Sequence, residues 1–184
     1  MSSFPRRLLR AALLDAEIYE EVEADRSSIA QAFVVVVGAG VAISLGRWLQ
    51  ATLAGVGIEQ RLFQLAVSFL EPMVLWFGGS AFAFMVGASF FRGPETETDF
   101  PEVLRTTGFA FTPAALSAFA FLPPPSLGMS IDFFAWAWVL VAGIIAVRQA
   151  LDFTTIRAIG TFGATTVLLW MLLWGLAKAP ALPF

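Results

Sequence analysis

The chain predicts an all-α integral membrane protein: five transmembrane helices preceded by an N-terminal amphipathic interfacial helix. Three observations carry this. Five long apolar stretches, at 29–53, 62–91, 103–122, 133–151 and 159–176, share only 184 residues. Each reaches the about 17–25 residues an α-helix needs to cross the hydrocarbon core. Charged residues make up 14% of the chain, against about 25% in a soluble domain. Backbone groups in lipid must pair within their own segment, so the stretches are expected to be helices and no strand is expected. No repeat of fixed period divides the chain, and residues 1–184 read as one domain.

Pro5 suits the first position of a helix. Leu8, Leu9, Ala12, Leu13, Ala16, Tyr19 and Val22 then recur at helical spacing, which predicts one amphipathic helix over 5–25 lying on the membrane surface. Its basic start (Arg6, Arg7, Arg10) is expected to meet anionic headgroups, and its acidic end to face water or a partner. Because acidic residues rather than an apolar core follow these arginines, the segment does not read as a secretory signal. Asp25 or Ser27 then caps the first span.

Span one carries Gly38, Ala42 and Gly46 at four-residue spacing, and span two carries Gly79, Ala83 and Gly87. Such small-residue stripes admit close helix approach. Span two is too long for an upright crossing, and Glu71-Pro72 is its natural kink. Gly93-Pro94 turns a polar loop containing Glu95, Glu97 and Asp99. Span three holds Gly108 and Thr112-Pro113, so it is not expected to be straight, and Pro123-Pro124-Pro125 ends it. A short linker over 126–132 leads to span four, which starts after Asp132. Trp136, Trp138, Trp170 and Trp174 fall in the last two spans, as interface anchors or packing.

Orientation follows the cations. A cytoplasmic N-terminus puts Arg6, Arg7, Arg10, Arg26, Arg92, Arg105, Arg148 and Arg157 on the cytoplasmic side, eight against Arg47, Arg61 and Lys178 on the other. Five spans then leave the C-terminus outside. The expected location is a prokaryotic cytoplasmic membrane.

The chain has no His and no Cys. That removes the common ligands of haem, zinc and copper, and with them the usual general base near neutral pH. No phosphate loop, dinucleotide fingerprint or calcium loop is present, and no cofactor, metal, nucleic acid or enzymatic activity is expected. The residue in the costliest place is Glu71, about 15 Å inside span two. Arg47, in the outer half of span one, lies at a comparable depth on an antiparallel neighbour. The two form a candidate intramembrane pair, to be read as a structural ion pair or as part of a proton or cation path. At the cytoplasmic face Glu102, Arg105, Arg148, Asp152 and Arg157 form a candidate polar cluster, a clasp or a docking surface.

Three segments together resemble the Yip family of membrane proteins, named for interaction with Ypt/Rab GTPases, and its prokaryotic members in particular. They are LDAEIYEEVEAD over 14–25, LRTTGFAFTP over 104–113 and AVRQALDFTTIRA over 146–158. The resemblance implies a five-helix bundle with a cytoplasmic N-terminus, and interaction or membrane organisation rather than a reaction. Eukaryotic relatives are associated with vesicle traffic and carry a long N-terminal cytoplasmic region absent here, so GTPase binding is not expected. The expected function is a non-enzymatic scaffold or accessory subunit that binds other membrane proteins, associates with itself or organises lipid. The alternative is a small transporter or channel component using Glu71.

Overall fold

Every described element is helical. The computed structural model describes the backbone of residues 2–90 and 99–178, and their side chains except those of 88–90, 170 and 172–178. In chain order the elements are α1 (Phe4–Ala12), α2 (Ala16–Ala24), α3 (Ser28–Leu53), α4 (Ile58–Phe90), α5 (Phe100–Phe109), a 3-10 segment (Thr112–Phe119), α6 (Pro125–Ala150) and α7 (Thr155–Lys178). The turn at Gly93-Pro94, Glu95 and Glu97 lie outside the described residues, as do the side chains of Trp170 and Trp174. Three helices are long and apolar enough to cross a membrane, at Ser28–Leu53, Ile58–Gly87 and Pro125–Ala150, and Thr155–Leu169 is a shorter apolar helix.

The single N-terminal helix expected over 5–25 is two helices. Leu14 takes a left-handed φ of 60°, which no α-helix continues through. The Asp15 side chain then accepts from the Glu17 amide and caps α2. The chain therefore folds back as a helical hairpin. Its basic start does not point outward as a unit either. Arg7 is turned inward with its side chain only 1% exposed, whereas Leu9 on α1 and Leu13 just after it stay exposed. On α2, Ile18, Tyr19 and Val22 are fully buried, because α2 packs against α5 and α6.

Ser27 stands at the start of α3, but its hydroxyl donates to Asp25 Oδ1 at 2.6 Å and does not cap the helix. The helix α4 continues through Pro72 without interruption and spans 33 residues, about 50 Å. Against α3 the close approach is at Gly40, where an added Cβ would lie 2.6 Å from the Phe69 carbonyl oxygen.

The third apolar stretch, expected as a span over 103–122, is α5 followed by the 3-10 segment. The break falls where Thr112-Pro113 removes a helical donor. The two pieces run alongside α3, in the same direction. Gly108 meets Ala32, and the Ser117 carbonyl meets Gly46, so they track fourteen residues of α3, about 21 Å. Every residue from Val103 to Phe111 is buried, and the 3-10 segment buries Pro113, Ala114 and Ser117 while Leu116 and Phe119 face outward. The Trp76 indole donates to the Leu104 carbonyl at 3.0 Å, and the hydroxyls of Ser80 and Thr107 share a bond of 2.7 Å.

The stripes read from the sequence are only partly packing surfaces. Gly46 and Gly87 meet neighbours, while nothing lies within 4 Å of a Cβ placed at Gly38 or Gly79. Span four also starts earlier than expected. Pro125 sits in the first turn of α6, so the stretch expected as a linker over 126–132 is helix. Proline is tolerated there because its missing N–H has no helical partner to lose. Asp132 is thus two turns inside α6 rather than at its start.

Candidate functional site

Near the end of the bundle where α3 turns into α4, Arg47 sits between two carboxylates. Its Nη1 is 2.6 Å from Glu71 Oε2 and 3.2 Å from Ser68 Oγ, to both of which it donates. Its Nη2 is 3.7 Å from Asp132 Oδ2. Ser117 Oγ, on the 3-10 segment, donates to Asp132 Oδ1 at 2.6 Å. One cation therefore answers two carboxylates, closely on one side and loosely on the other. Arg47 and Asp132, with Gln50, Gln64 and Ser68, line a cavity of about 1000 Å³. Asp132 is the member that sequence reasoning missed, because span four is expected to start only after Asp132, which leaves that residue in the linker.

A second cavity, of about 520 Å³, lies deeper between α4, α5, α6 and α7. Its walls are apolar, with Leu75, Ala83, Leu140 and Val147 among them.

The cluster expected at the opposite end is only partly assembled. Arg105 approaches Glu102 at 3.7 Å, but its short bonds go to the main chain. Nε and Nη2 donate to the Glu23 carbonyl at 3.0 and 2.6 Å. Glu102 completes a capping box with Asp99 at the start of α5. Arg148 and Arg157 are exposed and form no ion pair among the described residues. Asp152 takes a left-handed φ of 50° in the α6–α7 turn. The Glu23 carboxyl lies near this group. Burial first, then the charges of Asp152, Glu102 and Glu20, push it up to about 7 against the pull of Arg105. Gln149 at the end of α6 donates to Glu20 Oε1 at 2.6 Å.

The densest ionic network is in the hairpin. Arg7 donates to Glu21 at 3.0 Å and to Gln31 Oε1 at 3.0 Å, and pairs with Asp25 at 2.9 Å. Arg10 joins Asp15 at 2.7 Å and Glu21 at 3.1 Å. The Ser2 amide first, then its hydroxyl and Arg7, hold the Glu21 carboxyl down at about 2. The signal for this was present as opposite charges at helical spacing on both sides of residues 13–15, but it becomes a network only once the chain reverses there.

No curated protein and no solved structure is significantly similar to the chain. The apolar helices, together with that resemblance in the three matched segments, make it an integral membrane protein of helical type. The Yip1 domain family profile matches residues 13–177, so the chain belongs to the Yip1 domain family.

Proposed function

We propose that the chain is a non-enzymatic membrane scaffold or accessory subunit, which binds other membrane proteins, associates with itself or organises lipid. The observation that carries this reading is how charge is distributed across the bundle. Glu71 is answered within the bundle by Arg47, whereas the outward side of α4 is apolar, with Phe63 70% and Phe77 58% exposed. A pump is usually built on several carboxylates in relay, and here Glu71 is held in a direct ion pair with Arg47. The reading includes five crossings, the third being α5 with the 3-10 segment, and a cytoplasmic N-terminus in a prokaryotic inner membrane. The cation bias supports that orientation. The exposed Leu9 of α1 and Leu13 at its end suit a hairpin resting at the interface.

Single cysteines test it cleanly, since the native chain has none. Phe63→Cys and Phe77→Cys are expected to cross-link in native membranes to a second copy or to another membrane protein, and the buried control Ala83→Cys is not. An impermeant thiol reagent is expected to label Ser126→Cys and not Ser2→Cys in intact cells. Monomers at every position would sink the scaffold. The second reading, a transporter component, is favoured by the cavity beside Arg47 and Asp132. Ion flux in liposomes that Glu71→Gln abolishes would establish it instead.

A further inference from the structure

The two cavities share a wall. Phe133 and Trp136 line both. Along α4 the lining changes from Gln64 and Ser68 to Leu75, Gly79 and Ala83, and along α6 from Asp132 to Leu140 and Val147. Polarity therefore falls in the same direction along both helices, each of which lines both cavities. From Asp132 to Val147 is fifteen residues, about 22 Å. Both cavity volumes lie in the range of ligand sites, about 300–1,000 Å³.

The charges in the polar cavity define the headgroup. Arg47 leans on Glu71 at 2.6 Å and leaves Asp132 Oδ2 at 3.7 Å. That oxygen has room for a second donor, and the trio carries one negative charge in excess. An ammonium bearing N–H groups satisfies both conditions. The side-chain amides of Gln50 and Gln64, on the same walls, are neutral donors suited to phosphate oxygens.

We propose that this chain binds one ethanolamine-type phospholipid, with the ammonium at Asp132, the phosphate by Gln50 and Gln64, and an acyl chain passing Phe133 and Trp136 into the apolar cavity. The proposal does not rest on the scaffold reading, since neither Phe63 nor Phe77 of α4 lines the site.

Gly79 gives the cleanest way to close the site. It lines the apolar cavity, and a Cβ there meets nothing within 4 Å. The full chain in detergent micelles is titrated with phosphatidylethanolamine carrying brominated acyl chains, and tryptophan quenching is read. Saturable quenching at one lipid per chain is expected, and it falls in Trp136→Phe and falls further when Trp76→Phe is added, since both indoles line the apolar cavity. Gly79→Leu is expected to weaken it by about tenfold or more, with native helix content retained. Ala137→Leu fills the same space and serves if the first variant fails to fold. Brominated phosphatidylcholine, whose ammonium has no N–H, is expected to bind more weakly, and Asp132→Asn to erase that preference. Quenching that never saturates, or that neither filling variant weakens, means boundary lipid only and overturns the proposal. Equal binding of the choline lipid, or tighter binding of brominated phosphatidylglycerol, overturns it as well.

Discussion

Two arginines meet carboxylates in this molecule under opposite conditions. Arg7 is held in the N-terminal hairpin by Glu21, Asp25 and Gln31, and its side chain is 1% exposed. Arg47 sits among the long apolar helices, yet its side chain is 31% exposed to the cavity it lines. The arginine outside the long apolar helices is thus the more deeply enclosed one. Burial here is decided by the local fold rather than by depth in an apolar sequence. Around Arg7 each guanidinium nitrogen has a close partner, which makes a fastening. Around Arg47 one carboxylate is answered closely and another loosely, which leaves capacity for something else.

The largest effect is expected at Arg7. Arg7→Ala leaves Glu21 and Asp25 without their enclosed partner. Breaking one side of such a buried network costs about 3–5 kcal/mol. Hydrogen exchange is expected to rise across α1 and α2 while α3 and α4 stay protected. Uniform loss of protection would mean the hairpin and bundle are a single cooperative unit, and would dissolve the contrast.

Glu71→Ala is expected to cost less, about 2–3 kcal/mol, because Arg47 keeps Asp132 and access to the cavity. Combining Arg47→Met with Glu71→Gln should cost less than the two single changes added together, measured by reversible unfolding in mixed micelles. Strict additivity would mean that the 2.6 Å contact carries no coupling energy.

The smallest effect is on pH dependence. Glu21 moves from 4.5 to about 2 on folding, so its contribution is fully present above pH 4.5 and is lost as the pH falls through about 2. Glu23 moves the other way, from 4.5 to about 7. The folded state holds that proton more tightly, so stability declines as the pH rises from 4.5 through about 7. Thermal release of the hairpin, followed by a fluorophore at Ser3→Cys, is therefore expected at the highest temperature near pH 4.5. Glu23→Gln should remove the decline on the alkaline side. A decline that persists in that variant would assign it to another group.

Much of this architecture could be read from the residues. The helical class and the long apolar helices follow from length and hydropathy, and Thr112-Pro113 marked the stretch that is not straight. The neighbourhood of Arg47 and Glu71 could be read because α3 and α4 are consecutive and antiparallel, so depth alone brings them together. Asp132 could not be placed that way. It reaches Arg47 from a helix remote in sequence, and only after Pro125 begins α6 two turns before it. The hairpin was hidden for a different reason. Its apolar residues keep helical spacing through the reversal at Leu14, and a left-handed φ at leucine has no signature in a periodic pattern. The cluster at the far end failed in part because Arg105 bonds to a carbonyl, and main-chain acceptors have no letter in the sequence.

That bond sets Arg105 apart from the other fastenings. Its acceptor is the Glu23 carbonyl at the last turn of α2, where the helix already presents negative potential. A peptide oxygen does not titrate. Acid can discharge Glu21, and a rise toward neutrality charges Glu23, yet the grip of α5 on the end of α2 is the same in both. The hairpin therefore has an anchor that is blind to protons and a surround that is not. As the pH moves, α1 can loosen like the free end of a strap while α2 stays pinned at its buckle.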